Sequence, residues 1–433
     1  MNKNIKLAVA GAILATASVA NAGILIPAGD WTVDIGGNVN TYANWTNLDG
    51  TASVKASGAA VDAGKNTTVG FGNGLLPNFL SVGGTTRQND LDVSFTISIQ
   101  PGSSNSSALG VSSRTNAEGG INARQSFITF GDKSWGSVLV GKNIGLFAQD
   151  AILSDMTLLG VGAASAGGGN TSLGRIGYGY IYADWKPMIA YTTPNMNGFQ
   201  ATVGISQPFK STSILSNNTV TAGLAATAST ISASPAYEGK ASYSFAANDV
   251  TGKIWVSGIS QRVGSFNGAT NVAVNTSNSD QVAYAADIGA NLNMAGFGLT
   301  GYYYGGTGIG TTGQMLDGYG VSATTTTRME GRDSNGGYVQ ATYILPTKTK
   351  VGVSWGVSKL DLASGETNAT TSTASLGVVG LLQKENRMWT VGAYHPLTKH
   401  LNLVAEYNRS ESENQAGQEN KSNNGSLGAI LFF

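Results

Sequence analysis

The sequence predicts an all-β protein: a transmembrane antiparallel β-barrel of about sixteen strands with one loop folded inward after strand 5. Three observations predict it. Apolar residues recur at every second position rather than at helical spacing. The alternating segments come in pairs, joined in turn by short turns and long polar stretches. The chain ends on an alternating apolar segment closed by Phe433.

The first residues read as an export signal. Lys3 and Lys6 form a positive start, Leu7 to Val19 an apolar stretch, and Ala20-Asn21-Ala22 a small-x-small cleavage site. Residues 1–22 are therefore expected to be removed between Ala22 and Gly23, leaving one domain, 23–433. The apolar stretch is too short for a membrane-spanning helix, and a cleavage site flanks it. Without Lys3 and Lys6 the chain has 23 basic against 25 acidic residues, a net charge of −2. No basic stripe is present to neutralise phosphates, so no nucleic-acid partner is expected. There is no cysteine, hence no disulfide framework and no thiolate chemistry.

Composition narrows the class further. Only 12% of residues are charged, against ~25% in ordinary globular proteins, while glycine reaches 60 residues. After the signal no apolar run reaches ~18 residues, which excludes a helical membrane protein. In hydrocarbon every backbone N–H and C=O must be paired internally, so the remaining membrane solution is a closed barrel.

Strand patterning supports this. Trp31, Val33, Ile35, Val39, Ala43 and Trp45 share one face, with Asp34, Asn38 and Asn40 on the other. Val351, Val353, Trp355 and Val357 alternate with Gly352, Ser354, Gly356 and Ser358. Leu401, Leu403, Ala405 and Tyr407 alternate with Asn402, Glu406 and Asn408. Val282, Tyr284, Ala286 and Ile288 alternate with residues that include Asp287. One apolar and one polar face suits a strand between lipid and water.

Short connections rich in Asn, Asp, Gly and Pro join each pair: Gln88–Asp90, Asp132–Ser134, Asn195–Gly198, Asn248-Asp249, Pro346–Lys348 and Pro396–Lys399. Long polar stretches separate the pairs, at Thr46–Gly70, Gly102–Gly120, Lys210–Pro235, Thr307–Gly337, Leu362–Lys384 and Glu411–Gly425. Short turns on one side and long loops on the other give the layout of outer-membrane barrels, with the short turns periplasmic. Strand centres fall at about residues 38, 80, 96, 127, 139, 180, 202, 243, 256, 286, 300, 341, 354, 391, 404 and 430. For the sixth, Gly177–Tyr182 and Pro187–Thr193 read either as one long strand or as two short ones. Trp31, Trp45, Trp185, Tyr191, Tyr302, Tyr303, Trp389 and Tyr394 lie near strand ends, as interfacial aromatic girdles do. The terminal pattern Leu427, Ala429, Leu431, Phe433 resembles the signal that outer-membrane barrels present to their assembly machinery.

One long stretch differs from the rest. A strand carrying Arg124 turns at Asp132-Lys133 into a strand ending at Lys142, and a loop of about thirty residues follows. It opens with Ile144, Leu146, Phe147, Ile152, Leu153, Met156, Leu158 and Leu159. An apolar loop should not project into water, so it is expected to fold back and pack.

At this block the sequence resembles the general porins, the sixteen-stranded trimeric channels of Gram-negative outer membranes. The resemblance covers the whole mature chain in layout, and in motif this block and the final two hairpins. Asn143-Ile144-Gly145 and Asp155-Met156 resemble the start and acidic tip of the family's constriction loop. Arg124, in Ala-Arg-Gln-Ser-Phe, and Arg175, in Leu-Gly-Arg-Ile-Gly, resemble wall arginines facing that loop. Lys142 stands where an arginine is common. Val391–Lys399 is similar to the last periplasmic turn of β-proteobacterial porins. The resemblance implies an outer-membrane location reached through the periplasm, contact with lipid and with the barrel-assembly machinery, and a homotrimer.

An acidic loop facing basic wall residues would set a transverse field across a narrow aqueous gap, and charge in a pore sets ion preference. Asp155 and Asp150 would supply the negative side; Arg124, Arg175 and Lys142 the positive. No basic residue precedes Arg87 in the first two strands, and no second acid follows Asp155 at the loop tip, so the expected field is weak. The expected function is passive diffusion of small polar solutes and ions, with no cofactor and no metal. A substrate-specific channel and an adhesin or receptor barrel are the alternatives. An enzyme is not expected: His395 and His400, the sole histidines, sit by a turn without a triad or metal pattern.

Overall fold

Successive side chains of a strand point to opposite faces, and here the two sets separate by chemistry. On the outward side stand Val39, Val256, Ile288, Val353 and Leu427, all exposed; their inward neighbours Asn38, Ser257, Asp287, Ser354 and Ser426 are buried. The computed structural model describes residues 23–50, 66–103, 121–163, 171–209, 234–264, 281–321, 329–364 and 382–433, with short pieces at 55–56, 59–60, 212–215, 225–228, 232, 366 and 380. The expected export segment, with Ala22, lies outside the described residues, as does much of the polar stretches Gly102–Gly120, Lys210–Pro235 and Leu362–Lys384. Gly23 is the first described residue.

Sixteen wall strands form one closed antiparallel barrel. In chain order they are β1 (Trp31–Gly50), β2 (Asn66–Gly72, resuming as Phe79–Gln88), β3 (Leu91–Pro101), β4 (Ile121–Asp132), β5 (Gly136–Ile144), β6 (Trp185–Thr192), β7 (Phe199–Ser206) and β8 (Ala236–Ala247). Then come β9 (Val250–Val263), β10 (Gln281–Met294), β11 (Phe297–Thr307), β12 (Asp333–Ile344), β13 (Lys350–Leu360), β14 (Gln383–Pro396), β15 (Leu401–Asn414) and β16 (Glu419–Phe432). Each pairs with the next, and β16 closes on β1, with Asn38 opposite Phe432 and Gly50 opposite Asn420.

Closure uses one further segment. Ile24–Ala28 pairs with Trp31–Ile35 of β1 and so continues the line of β16 past the C-terminus. At the junction the Gly37 N–H donates to Phe433 O at 2.8 Å, and the Phe433 N–H donates to Gly37 O at 3.1 Å. A Cβ at Gly37 would lie 2.2 Å from Phe79 O, so the three chain segments meet there only around a glycine.

The two pieces of β2 pair with different stretches of β1, and 73–78 leaves the ladder between them. Asn40, one of the polar-face residues of β1, holds this excursion. Its N–H donates to Asn78 Oδ1 at 2.6 Å, its Nδ2 to Leu76 O at 2.9 Å, and its Oδ1 accepts the Gly74 N–H at 2.9 Å.

Three expectations are corrected. The sixth strand is Trp185–Thr192, whereas Gly177–Tyr182 belongs to the inward loop: Gly174, Gly177 and Gly179 adopt positive φ and break the pleat. Glu411–Gly425 is mostly strand, with a turn of only Gln415–Gln418. Its charges pair across strands, as Arg387 with Glu411 at 2.7 Å, so the polar composition does not mark a loop. Tyr302 and Tyr394 face inward and are buried, because Tyr303, next to Tyr302, takes the outward face.

Candidate functional site

The loop after β5, residues 145–184, is longer than the sequence suggested, and its described residues, 145–163 and 171–184, lie inside the barrel. Its stem is tight. The Gly145 N–H donates to Asp184 O at 2.8 Å, and a Cβ at Gly145 would meet Ala183 O at 2.4 Å. The loop then forms a short helix, α1 (Gln149–Ser154), and a 3-10 turn, Met156–Leu159. Ile144, Phe147, Ile152 and Leu158 are buried in one apolar cluster with wall residues Trp255, Ile259, Ala283 and Tyr302. Each such side chain gains about 1.5–3 kcal/mol on burial, which is why this loop packs inward instead of projecting into water.

Polar anchors fix the main chain. Glu238 on β8 accepts the Leu146 and Phe147 N–H groups at 2.8 and 3.1 Å. Asp287 on β10 accepts the Ala148 N–H at 3.1 Å, and Glu406 on β15 accepts those of Val161 and Gly162 at 2.9 and 2.8 Å. Tyr338 donates its hydroxyl to Ala151 O at 2.8 Å, and Gln340 Oε1 accepts the Met156 N–H at 2.7 Å. The wall thus supplies carboxylates to the loop's amides. Glu238 is balanced by Lys186, 2.5 Å away, the two side chains being 2% and 1% exposed.

Asp150 and Asp155 sit differently. Asp150, in α1, pairs with Lys240 on β8 at 3.1 Å and with Lys253 on β9, whose side chain is 36% exposed. Burial alone pushes the Asp150 carboxyl up; the Lys240 and Lys253 ammonium groups outweigh it and hold the group below the ordinary carboxylate value. Asp155 is buried at the junction of α1 and the 3-10 turn. It accepts the Thr157 N–H at 2.9 Å, the Thr157 hydroxyl at 2.7 Å and the Tyr180 hydroxyl at 2.9 Å. It caps the turn.

Arg175 is fully buried. It donates to Met388 O at 2.9 Å and Thr390 Oγ1 at 3.0 Å, tying the returning limb of the loop to β14. Lys142 lies opposite Ser126 and Pro187, both on the outward face, and donates to Ala123 O at 2.7 Å. Arg124 is the extra residue of a β-bulge: Ser98 opposes Gln125 and Ile99 opposes Ala123. Burial pushes the Tyr182 phenol up and the Arg124 guanidinium pulls it back, so Arg124 is in electrostatic reach of the inward loop. The sequence reading did not find Lys240, Lys253, Glu238 or Asp287 as partners of the loop. Their inward parity was the available signal, but their partners lie 90 or more positions away.

Among the described residues no cluster of three or more His, Asp or Glu is arranged to hold a metal. No described helix is long and apolar enough to cross a membrane, which says nothing of crossing by strands.

A family model described as Gram-negative porin matches residues 8–415 of this chain. The chain belongs to the Gram-negative porins. It is an outer-membrane channel for passive diffusion, as that family is. Solved structures agree in fold. The outer-membrane channel DcaP of Acinetobacter baumannii superposes with a TM-score of 0.64 at 16% identity, covering 95% of this chain and 100% of that one. OmpT of Vibrio cholerae gives 0.54 at 13% identity, and Salmonella typhi OmpF in complex with daunomycin 0.50 at 13%, each over 95% of this porin and 100% of its own chain. No curated protein sequence matches.

Proposed function

We propose that this porin is a weakly selective channel for small polar solutes and ions, with an aperture set by the wall-anchored loop. The observation that carries the proposal is the anchoring of 145–184 by Glu238, Asp287 and Glu406 from one side of the barrel to the other. An inner loop held at so many points presents a fixed rim, and a fixed rim sorts solutes by size. Among the described residues the charges near its margin are those of Asp150, Lys240 and Lys253, with Lys350 and Arg124 near the loop. These charges bias ion flow.

Residues 1–22 are proposed to be cleaved before Gly23. Leu427, Ala429, Leu431 and Phe433 are proposed to engage the barrel-assembly machinery, and the mature chain to form a homotrimer in contact with lipid. OmpT of Vibrio cholerae, similar in fold, has been solved in a trimer form, which supports the last point.

Liposome swelling with neutral saccharides of increasing size tests the reading. Flux that falls smoothly with solute size is expected. Flux confined to one saccharide would instead make the channel substrate-specific, and no flux of any solute would overturn the proposal.

A further inference from the structure

We infer that a second inward segment, 308–319 between β11 and β12, narrows the pore together with the loop 145–184 and sets the upper size of permeating solutes. This rests on the channel reading above. A barrel wall that faces water carries polar side chains. On β9 and β10 the inward face instead carries Trp255, Ile259, Val263, Ala283 and Ala285, each at most 5% exposed. Something covers them, and the loop after β5 supplies only part of the cover. Ile309, Met315 and Tyr319 join the same apolar cluster and are at most 1% exposed. The segment therefore turns back into the barrel after Thr307 instead of continuing outward.

Its course is fixed by its own bonds. Gly308 and Gly310 take positive φ at the reversal, and the Met315 N–H donates to Ile309 O at 2.8 Å. Arg332 closes the stem. It donates from Nη1 to Asp317 O at 2.8 Å and pairs with both oxygens of Glu366, from Nε at 2.8 Å and from Nη2 at 2.6 Å.

The two inward segments are joined directly. The Tyr182 N–H donates to Thr312 O at 2.8 Å, and Gln314 Nε2 donates to Ala183 O at 3.1 Å. Lys186 Nζ donates to Gln314 Oε1 at 2.7 Å while it pairs with Glu238. A buried Lys–Gln–carbonyl chain leaves buried donors unpaired if the segments separate, which opposes separation. The segments consequently hold their positions together, and both take cross-section from the lumen.

Two variants test this by single-channel recording and saccharide flux. Replacing Thr311–Leu316 by Gly-Ser removes the inward tip; it should raise conductance and the ratio of trisaccharide to monosaccharide flux. Gly313→Trp adds bulk at the tip. A Cβ there meets only Leu316, at 3.7 Å, so the backbone tolerates it. It should lower conductance and abolish flux of the larger saccharides first. If the Gly-Ser variant does not fold, Gly313→Trp decides alone. Native channels that conduct while folded variants match them in conductance and size limit overturn this inference and leave the diffusion reading intact. Absence of native conductance overturns both.

Discussion

Glu406 Oε2 accepts the Val161 N–H at 2.9 Å, a bond between residues 245 positions apart. It fixes the far end of the inner loop to the strand before the last. Tyr394 donates to the other oxygen at 2.6 Å. Glu406→Ala frees two buried loop amides at about 1–3 kcal/mol each. The expected result is a wider, noisier channel in single-channel recording, with the barrel still folded by gel mobility. Gly160→Ala should have a similar effect from the loop side, because its Cβ would fall 1.9 Å from Glu406 Oε1.

Lys253 and Lys240 face Asp150 at the edge of the loop. A unit charge about 4 Å from a passing ion in water is worth about 1 kcal/mol, roughly five-fold in local concentration and less as salt rises. Lys253→Gln should therefore shift the reversal potential in asymmetric salt towards cations, and Asp150→Asn towards anions. Both shifts should shrink in high salt.

Acidity gives a second view of the same pair. The Asp150 carboxyl titrates below the ordinary carboxylate value, so the ion pair is intact above that value and is lost only as pH falls through its own lower one. Reversal potentials of the native channel and of Asp150→Asn should still differ at about pH 4, by more than half of the difference at neutral pH. A difference that has fallen to half or less at that pH would mean the carboxyl is not held by the lysines.

Arg175 separates anchoring from selectivity. It is fully buried against Met388 and Thr390. A lysine cannot span both acceptors as a guanidinium does. Arg175→Lys should increase current noise while leaving the reversal potential unchanged. A shifted reversal potential with quiet current would place its charge in the ion path instead.

The outward face is expected to tolerate no charge at mid-depth. Ile288 is 54% exposed midway along β10. Ile288→Arg should cost about 2–4 kcal/mol in denaturant titration of the barrel in liposomes.

Much of the barrel was legible because alternation is a local signal. Val282, Tyr284 and Ile288 declared an outward face, and short Asn- and Asp-rich turns marked the strand pairs. The sixth strand was misplaced because Gly177–Tyr182 has strand-like residues whose glycines, at positive φ, decide otherwise. The inward course of the first loop was legible from Ile144, Phe147 and Ile152. That of 308–319 was missed because Thr307–Gly337 reads as polar overall; Ile309, Met315 and Tyr319 within it, and the apolar inner face of β9, were the signal. The roles of Asp155 and Arg175 depend on partners supplied by folding: Tyr180 and Thr157 for one, β14 for the other. Charge type alone could not distinguish a turn cap or an anchor from a residue facing the aqueous gap.

The central claim is a water-filled channel narrowed by an anchored inner loop. Planar-bilayer recording of the purified mature chain tests it most directly. Stable, uniform, ohmic conductance steps in the native protein, becoming larger and noisier in Glu406→Ala, are the expected result. A native barrel that inserts and never conducts, or conductance indifferent to Glu406, would contradict it.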